Sequence, residues 1–197
     1  VALMGDSRIE VDLALPGLHN VRNALAAIAV ADKVGIAPDS IVKGLRNFAG
    51  IERRFEILGE MFVDPGRALL VDDYAHHPRE IEATLAAAQG SWPDRRKVVV
   101  FQPHRFTRTE ELLDDFSALL DGVACLVITE VYAAGEKPIA RADGRALCRS
   151  IRARGGADPV FVSDLTALKE TLSPMLRDGD VVLTLGAGDI GRAAREL

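Results

Sequence analysis

Hydrophobic and polar positions alternate in blocks along most of the chain. Short apolar runs predict five buried strands, at Leu69–Val71, Val98–Phe101, Cys125–Thr129, Val160–Val162 and Val181–Leu185. Apolar residues at helical spacing predict helices over Arg79–Ala88, Thr109–Leu120, Arg145–Arg154, Asp164–Leu176 and Ile190–Leu197. Strands that alternate with helices favour right-handed crossovers and a parallel sheet covered on both faces. The pattern therefore predicts an α/β fold, a Rossmann-like, doubly wound and mostly parallel sheet.

The first part of the chain carries a weaker pattern. Ile9–Leu15 alternates between apolar and polar residues, which predicts a strand that ends at Pro16-Gly17. An Ala-rich stretch, His19–Lys33, predicts a helix with Asn20 as its N-cap. A second helix is predicted over Pro38–Gly50. One strand and two helices bury too little for an independent core, so we interpret this part as the end of a larger domain.

A domain boundary is predicted near the paired arginines Arg53 and Arg54. We expect residues 1–51 to be the incomplete C-terminal end of one domain and residues 52–197 to form a complete α/β domain. Phe55–Val63 alternates loosely and predicts a strand or hairpin at the start of that domain. A paired arginine at such a boundary is either a solvated link or a contact to a ligand anion. The chain does not begin with Met, so we also expect either a fragment of a longer protein or a processed product.

Composition narrows the class of protein. The chain has 197 residues, 48% of them hydrophobic, and a formal net charge of -5, which gives no electrostatic reason to expect nucleic acid or an anionic membrane as a partner. No apolar run approaches the roughly 20 residues that a membrane span needs. No signal peptide is predicted. Cys125 and Cys148 lie in apolar runs and are predicted to be buried free thiols in a reducing cytoplasm.

Polar and charged residues gather where the predicted strands end. In a parallel sheet, ligands bind beyond the carboxyl ends of the strands. Four of the five strands are followed there by chemically rich segments: Asp72-Asp73-Tyr74-Ala75-His76-His77, Gln102-Pro103-His104-Arg105-Phe106-Thr107-Arg108-Thr109, Glu130-Val131-Tyr132-Ala133-Ala134-Gly135-Glu136 and Gly186-Ala187-Gly188-Asp189-Ile190-Gly191. The remaining strand is followed by Ser163-Asp164, which predicts only a helix cap. The sequence therefore predicts a functional site at one edge of the sheet.

The loop after the second strand predicts an anion site. Thr107 with Glu110 predicts a capping box, which places Arg108 in the first turn of a helix. Cations there oppose the helix dipole at a cost of roughly 0.3–1 kcal/mol, so stability alone does not explain Arg105 and Arg108. Two guanidiniums beside free helix N–H groups suit a carboxylate or a phosphate. The alternative is that both arginines point into solvent or pair with carboxylates. The candidate carboxylates are Asp72, Asp114 and Asp115.

The loop after the first strand has an alternative interpretation as a metal site. Asp and His are ligands of hydrolytic di-metal centres, which would make the protein a metal-dependent phosphoesterase built on Asp72, Asp73, His76 and His77. Neighbouring residues of an extended chain point opposite ways, so Asp72 and Asp73 cannot both ligate easily. One of the two histidines is also expected to have a structural role, such as capping the helix that begins near Arg79.

The glycines after the last strand offer a second alternative. Gly186-x-Gly188-x-x-Gly191 follows a strand and opens a helix, as the dinucleotide fingerprint of an oxidoreductase does. The match is weak, because that fingerprint belongs to the first strand–helix turn of the fold and is followed by an acidic residue about 20 positions later. Here the chain ends soon after the motif. A tight turn into the last helix explains the same glycines without a cofactor.

Five segments, taken together and in order, point to a known family. They are Gly17-Leu18-His19-Asn20-Val21-Arg22-Asn23-Ala24, Arg53-Arg54-Phe55-Glu56, Asp72-Asp73-Tyr74-Ala75-His76-His77-Pro78, Phe101-Gln102-Pro103-His104-Arg105-Phe106-Thr107-Arg108-Thr109 and Gly186-Ala187-Gly188-Asp189-Ile190-Gly191. The series resembles the Mur ligases, and its His-His and Pro-His-Arg-Phe-Thr-Arg elements resemble the family member that uses L-alanine. One departure is Gly144, where relatives often carry Ser, so the loop around it is assigned no role.

The resemblance implies a place for this chain within a longer ligase. Mur ligases have a UDP-sugar domain, a central ATPase domain with a phosphate loop, and a Rossmann-like C-terminal domain. This sequence has no Gly-x-x-Gly-Lys-Thr/Ser motif and resembles the end of the central domain, up to about Ile51, followed by the whole C-terminal domain. The expected partners are therefore the other domains of the same polypeptide, and most Mg²⁺ ligands are expected in them. Alone, this chain is expected to fold but not to turn over substrate.

The resemblance also implies the reaction. ATP would phosphorylate the lactyl carboxylate of UDP-N-acetylmuramate, and the amine of L-alanine would attack the acyl phosphate, giving an amide, ADP and phosphate. The product is a peptidoglycan precursor, so the implied roles are in cell-wall biogenesis, cell shape and cell division. ATP and Mg²⁺ are the implied cofactors, and the implied compartment is the cytoplasm.

The resemblance finally implies roles for individual residues. Nucleotide binding is implied for His19, Asn20 and Asn23 at the adenine, Arg54 at the γ-phosphate and Asp73 at the ribose. Binding of L-alanine and of the acyl-phosphate charge is implied for Tyr74, His76, Arg105 and Arg108. Free L-alanine is an ammonium ion and must lose a proton before it attacks, and His76 is the candidate base. The two arginines fit a catalytic role in placing charge and reactants.

Overall fold

The computed structural model describes residues 2–4, 7–48 and 50–197. The N-terminal part contains an antiparallel pair, β1 (Ala2–Met4) and β2 (Ser7–Ile9), and two helices, α1 (Leu18–Lys33) and α2 (Pro38–Arg46). One buried isoleucine from each of β2, α1 and α2 forms a small core, made of Ile9, Ile28 and Ile41. The two predicted helices are confirmed.

Two expectations for this part are wrong. β2 ends at Ile9, and residues 10–17 form no strand, because alternation makes a strand only where a neighbouring segment supplies backbone partners. α1 begins at Leu18 with Gly17 in the N-cap position, where a φ of 98° turns the chain. Asn20 therefore lies inside the first turn, and its side-chain amide donates to the carbonyl oxygen of Pro16 at 2.7 Å.

A six-stranded sheet lies at the centre of the remaining chain. Its strands are β3 (Glu56–Phe62), β4 (Arg67–Asp73), β5 (Lys97–Phe101), β6 (Cys125–Thr129), β7 (Val160–Val162) and β8 (Val181–Leu185). The order across the sheet is β3-β4-β8-β5-β6-β7, with β3 antiparallel to β4 and every other pair parallel. All five predicted strands and the predicted strand after the boundary are confirmed.

Helices connect the strands. They are α3 (Pro78–Ser91), α4 (Phe106–Glu111), α5 (Leu113–Leu120), α6 (Gly144–Arg154), α7 (Leu168–Leu172), which follows a 3-10 turn at Leu165–Ala167, and α8 (Ile190–Ala194). The predicted helix over Thr109–Leu120 is in fact two helices that meet at Leu112. The last two predicted helices are shorter than expected because their ends pass into turns.

Hydrophobic residues pack on both faces of the sheet. On one face, Val99 and Phe101 of β5 lie in a cluster with α3, α5 and α6. On the other, Val98 and Val100 lie in a cluster with α7 and α8. Successive strand residues point to opposite faces, so a strand covered on both sides reads as a continuous apolar run. The two clusters confirm the predicted Rossmann-like α/β fold.

The strand order brings the candidate loops to one edge. Asp73 at the end of β4 pairs with Leu185 of β8, which pairs with Phe101 of β5, which pairs with Ile128 of β6. The loops after these four strands therefore start side by side. None of the helices in the described part of the chain has the length and apolar character that a bilayer crossing requires. Cys125 and Cys148 are buried and unbonded, and burial raises the pKa of Cys148 to about 11.

Candidate active site

The two adjacent aspartates at the end of β4 point to different places, as predicted for an extended chain. Asp73 is 5% exposed and accepts hydrogen bonds from Phe55 N at 2.9 Å, Ala75 N at 2.8 Å and Thr84 Oγ1 at 3.2 Å. Burial raises the pKa of Asp73 above its ordinary value, and these bonds with the positive charge of Arg54 offset only part of that effect. Asp73 is therefore a structural acceptor at the edge of the site as well as a candidate ligand contact.

A cavity of about 520 Å³ lies between α1, the boundary segment and α3. Residues predicted to bind the nucleotide line it together, namely His19, Asn20, Asn23, Arg54 and Asp73. These residues come from three separate stretches of sequence. The cavity is within the size range of small-molecule sites, which is about 300–1,000 Å³.

Polar residues from α3 complete the cavity wall. Glu80 and Thr84 face it, and Arg54 stands over the ring of Tyr74 with its guanidinium carbon 5.7 Å from the ring centroid. Arg54 therefore lies between the cavity and Tyr74, the first of the residues predicted to bind the second substrate. Burial works to raise the pKa of Glu80, but backbone hydrogen bonds from His76 and His77 and the charge of Arg54 bring it below its ordinary value.

His76 and His77 have different roles. His77 is the N-cap of α3, where its Nδ1 accepts from Arg79 N at 3.4 Å. Glu80 Oε2 in turn accepts from His76 N at 3.0 Å and from His77 N at 3.1 Å, which completes a capping box. The expected structural role for one histidine is confirmed, and it belongs to His77. The ring of His76 is directed instead toward the loop after β5.

Aromatic and imidazole rings form a row across the site. The ring of Tyr74 meets that of His76 edge to face at 5.4 Å, His76 lies 5.8 Å from His104, and His104 stacks on Tyr132 at 5.4 Å. His76 Nδ1 is 3.0 Å from the carbonyl oxygen of Tyr74 and 3.3 Å from Glu80 Oε2. Loops from three strands thus meet at one row of side chains.

His104 and Tyr132 were not among the predicted site residues. Their backbones form an isolated parallel bridge, three residues beyond the ends of β5 and β6 and one residue out of register with the pairing of those strands. Arg108 Nη1 lies 3.3 Å from His104 Nδ1 and 3.2 Å from its carbonyl oxygen. Burial, and then the positive charges of His76, Arg108 and Arg105, lower the pKa of His104. Both residues lie in the polar segments that follow β5 and β6, so the sequence did mark them as candidates. Their stacking could not be predicted, because it depends on how the two strands are aligned.

Arg105 occupies a strained turn. It stands in the N-cap position of α4 with a φ of 73°, and its Nη1 is 3.4 Å from Glu136 Oε1. Glu136 also accepts from Thr107 N at 3.1 Å and Thr107 Oγ1 at 2.8 Å. The predicted Thr107–Glu110 capping box is therefore wrong, because a carboxylate from the loop after β6 satisfies the helix N-terminus. Arg105 pairs with Glu136 rather than with the aspartates considered from sequence.

Neither alternative interpretation gains support. Among the residues that the structure describes, no three His, Cys, Asp or Glu side chains are arranged to hold a metal ion. The glycine loop after β8 surrounds a protein side chain: the guanidinium of Arg53 donates to the carbonyl oxygens of Gly186 at 2.6 Å and Gly188 at 3.1 Å. A phosphate cradle needs N–H groups directed at the ligand, whereas this loop presents carbonyl oxygens to an arginine.

The fold and the site together define a class of protein, a parallel α/β domain with a polar cavity beside two histidines and two arginines. Comparison with known proteins identifies its family. Residues 53–188 match the family described as Mur ligase, glutamate ligase domain, so the chain belongs to the Mur ligase family. The UDP-N-acetylmuramate–L-alanine ligase of Xanthomonas campestris is 56% identical over 188 residues. That match covers 95% of this chain and 39% of the relative.

Solved structures agree with the sequence match. The crystal structure of the UDP-N-acetylmuramate–alanine ligase MurC from Thermotoga maritima has 35% identity and a TM-score of 0.73, covering 98% of this chain and 40% of that one. A murein peptide ligase from Psychrobacter arcticus has 25% identity and a TM-score of 0.61, covering 95% and 39%. The chain thus spans about two fifths of the length of these relatives.

Proposed function

We propose that this chain is the C-terminal part of an ATP-dependent ligase that joins L-alanine to UDP-N-acetylmuramate in peptidoglycan precursor synthesis, in the cytoplasm. The observation that carries the proposal is the joint placement of the nucleotide and acceptor residues. The cavity lined by Asn20, Asn23, Arg54 and Asp73 opens beside the row that contains His76. The 56% identity to a ligase of this specificity supports the same substrates.

In this reaction, the residues on the two sides of Arg54, the cavity side and the acceptor side, have different roles. On the cavity side, His19, Asn20 and Asn23 bind the adenine and Asp73 binds the ribose. Arg54 neutralises the γ-phosphate as it passes to the lactyl carboxylate of UDP-N-acetylmuramate. The acyl phosphate formed there is then attacked by the amine of L-alanine, which forms the amide bond and releases phosphate, while ADP remains from the first step. Guanidiniums stabilise the charge that develops in such steps.

The acceptor side would bind and deprotonate L-alanine. Arg105 and Arg108 would pair with its carboxylate and with the acyl-phosphate oxygens. Arg108 contacts His104 and Tyr74 contacts His76, so both border the same row of rings. The ammonium group must lose a proton before it can attack. His76 has a hydrogen-bond acceptor on each side of Nδ1, Tyr74 O and Glu80 Oε2, which suits a ring that carries its proton on Nδ1 and accepts at Nε2.

The N-terminal part supports an origin in a longer polypeptide. We assign residues 1–51 to the end of the central ATP-binding domain and residues 52–197 to the C-terminal domain. α1 buries one residue, Ile28, while Leu18 is 65% exposed and Val30 is 65% exposed. A helix that is apolar on most sides is normally covered, and the upstream domains of the ligase would cover it. Mg²⁺ is expected in the whole enzyme, and most of its ligands are expected in the upstream domains.

Turnover by the full-length protein tests the proposal. Phosphate release should require ATP, UDP-N-acetylmuramate and L-alanine together, and mass spectrometry should detect UDP-N-acetylmuramoyl-L-alanine. The isolated 197-residue chain should give no turnover with the same mixture. Release that persists without UDP-N-acetylmuramate, or a product with another amino acid made in preference to L-alanine, would contradict the assigned specificity.

A further inference from the structure

The paired arginines at the boundary have separate environments. Arg54 lines the cavity, whereas the side chain of Arg53 turns into the body of the domain. Its Nε donates to Asp72 Oδ2 at 2.8 Å, and its two terminal nitrogens donate to Gly188 O and Gly186 O. Every nitrogen of the guanidinium thus has a partner within the domain. Arg53 is therefore part of the domain's internal structure and not a solvated link.

The partners of Arg53 are themselves fixed. Asp72 is fully buried, and its other oxygen accepts from Thr184 Oγ1 of β8 at 2.8 Å. Gly191 leaves the room that the guanidinium fills, since a Cβ there would overlap it, whereas a Cβ on Gly186 or Gly188 would meet Gln102. Close packing within the protein thus explains the glycine spacing that resembles a dinucleotide fingerprint, and Arg53 accounts for Gly191. Arg53 ties the boundary segment to β4 and to the turn after β8.

The backbone around Arg53 is strained and held in place. Arg53 has a φ of 58° and Phe55 a φ of 50°, conformations that are strained in a residue other than glycine. Arg53 N donates to Glu56 Oε2 at 2.8 Å, and Arg53 O accepts from Tyr74 N at 2.6 Å. The ring of Phe55 stacks on Trp92 with centroids 5.8 Å apart. Arg54 lies between these two anchored residues, so its direction follows from theirs.

We propose that Arg53 is a positioning residue that fixes Arg54 toward the nucleotide cavity. Its guanidinium holds the strained segment against Asp72 and the β8–α8 turn, and its carbonyl oxygen holds Tyr74, over whose ring both arginines stand. The inference rests on the proposed function, because it concerns how the phosphate-binding arginine is placed. A misplacement of about 1 Å in such a group costs about 10²-fold in rate.

A double-mutant cycle in the full-length ligase tests the inference. Arg53→Lys retains a positive charge opposite Asp72 but loses the planar fork, and we expect kcat/KM for ATP to fall about 10²-fold. Arg54→Ala should lower the same quantity, and adding Arg53→Lys to it should change little more, because Arg53 acts through Arg54. A merely structural role would instead give effects that multiply in the double variant, and that result would overturn the inference.

Two further variants keep the test decisive. Gly191→Ala leaves Arg53 in the chain but displaces its guanidinium, and its helical position accepts alanine, so it should reproduce the loss even if Arg53→Lys folds poorly. Arg195→Lys is the matched control, since Arg195 contacts Glu52 and Glu56 of the same segment from the surface and should leave kcat/KM unchanged. Normal kinetics in Arg53→Lys and Gly191→Ala beside an impaired Arg54→Ala would refute this inference alone. Normal kinetics in Arg54→Ala would refute the nucleotide-site assignment as well.

Discussion

Charged residues are abundant at both edges of the parallel sheet, the amino edge and the carboxyl edge, but they have different environments there. At the amino edge, Arg96 makes two hydrogen bonds to the buried carboxylate of Asp180, at 2.9 and 2.6 Å. The neighbouring Arg95 donates to the carbonyl oxygens of Gly179 and Asp180. Each of these groups closes a loop onto the start of a strand. The charges at this edge are satisfied within the protein and stabilise the fold.

At the carboxyl edge the charged groups border open space. Arg54 lines the cavity, and Arg105 is held by a longer contact, 3.4 Å from Glu136. Arg53, at the same edge, is the exception that behaves like the amino-edge arginines. Charge density alone therefore does not identify a site, whereas the direction and pairing of each charge does. Variants at the two edges should separate activity from stability.

The largest expected effect is on catalysis at the carboxyl edge. In the full-length ligase, Arg105→Ala should lower kcat by about 10²–10³-fold, the usual loss when one preorganised charge donor is removed from a reacting group. Arg67→Ala is the matched control, because its guanidinium also lies 3.4 Å from a carboxylate, that of Glu60, at the opposite end of β4. Steady-state kinetics measure both. A normal kcat in Arg105→Ala would remove Arg105 from the catalytic group.

The next largest effect is on stability at the amino edge. Asp180→Asn should lower the free energy of unfolding by about 3 kcal/mol, since it leaves the charge of Arg96 without its buried partner. Urea unfolding of the 197-residue chain measures this. Asp158→Asn, which breaks an exposed pair with Arg152, should change it by less than about 1 kcal/mol. Equal losses in the two variants would show that the amino-edge pair is no more important than a surface one.

Asp73 has both a proposed binding role and a structural role. Its replacement should therefore affect both catalysis and stability, each by a smaller amount. Asp73→Ala should raise the KM for ATP about tenfold in the full-length ligase, the worth of one hydrogen bond of about 1.4 kcal/mol. It should also lower the free energy of unfolding by about 1–3 kcal/mol, because the N–H groups of Phe55 and Ala75 lose their acceptor. Asp94→Ala, an exposed carboxylate, serves as control. An unchanged KM beside lower stability would make Asp73 purely structural.

Much of the fold could be predicted because the local pattern of apolar residues indicates which segments are buried. Strands covered on both faces appear as unbroken apolar runs, so β6, β7 and β8 were found with their observed bounds. The break at Leu112 could not be predicted, because no glycine or proline marks it. The position of β8 between β4 and β5 also has no local signal, since it depends on how the whole sheet packs.

The site was predictable as a set of loops but not as a set of contacts. The residues after each strand identified the carboxyl edge, since the strand direction decides which loops share it. The capping of α4 by Glu136 and the stack of His104 on Tyr132 join residues about 30 positions apart, which local patterns do not reveal. Arg53 and Arg54 are adjacent and chemically identical, and only the packed structure separates their roles.

The smallest expected effect concerns the protonation of His104. Burial and the nearby positive charges hold its pKa below the ordinary 6.5, so the unfolded chain takes up a proton at a higher pH than the folded chain does. Stability therefore rises with pH through this window and falls as the pH drops below about 6.5. His104→Gln should flatten that part of the stability–pH curve, measured by urea unfolding at a series of pH values.

The geometry around His104 gives the same prediction by another route. The Arg108 guanidinium can only donate, so its contact of 3.3 Å with His104 Nδ1 requires that nitrogen to accept and the ring to be neutral. NMR titration of the His104 ring in the intact chain should therefore give a midpoint below 6.5, and Arg108→Met should raise it. A midpoint above 6.5 would contradict both arguments and would place an imidazolium beside Arg105 and Arg108, where a like charge is unfavourable.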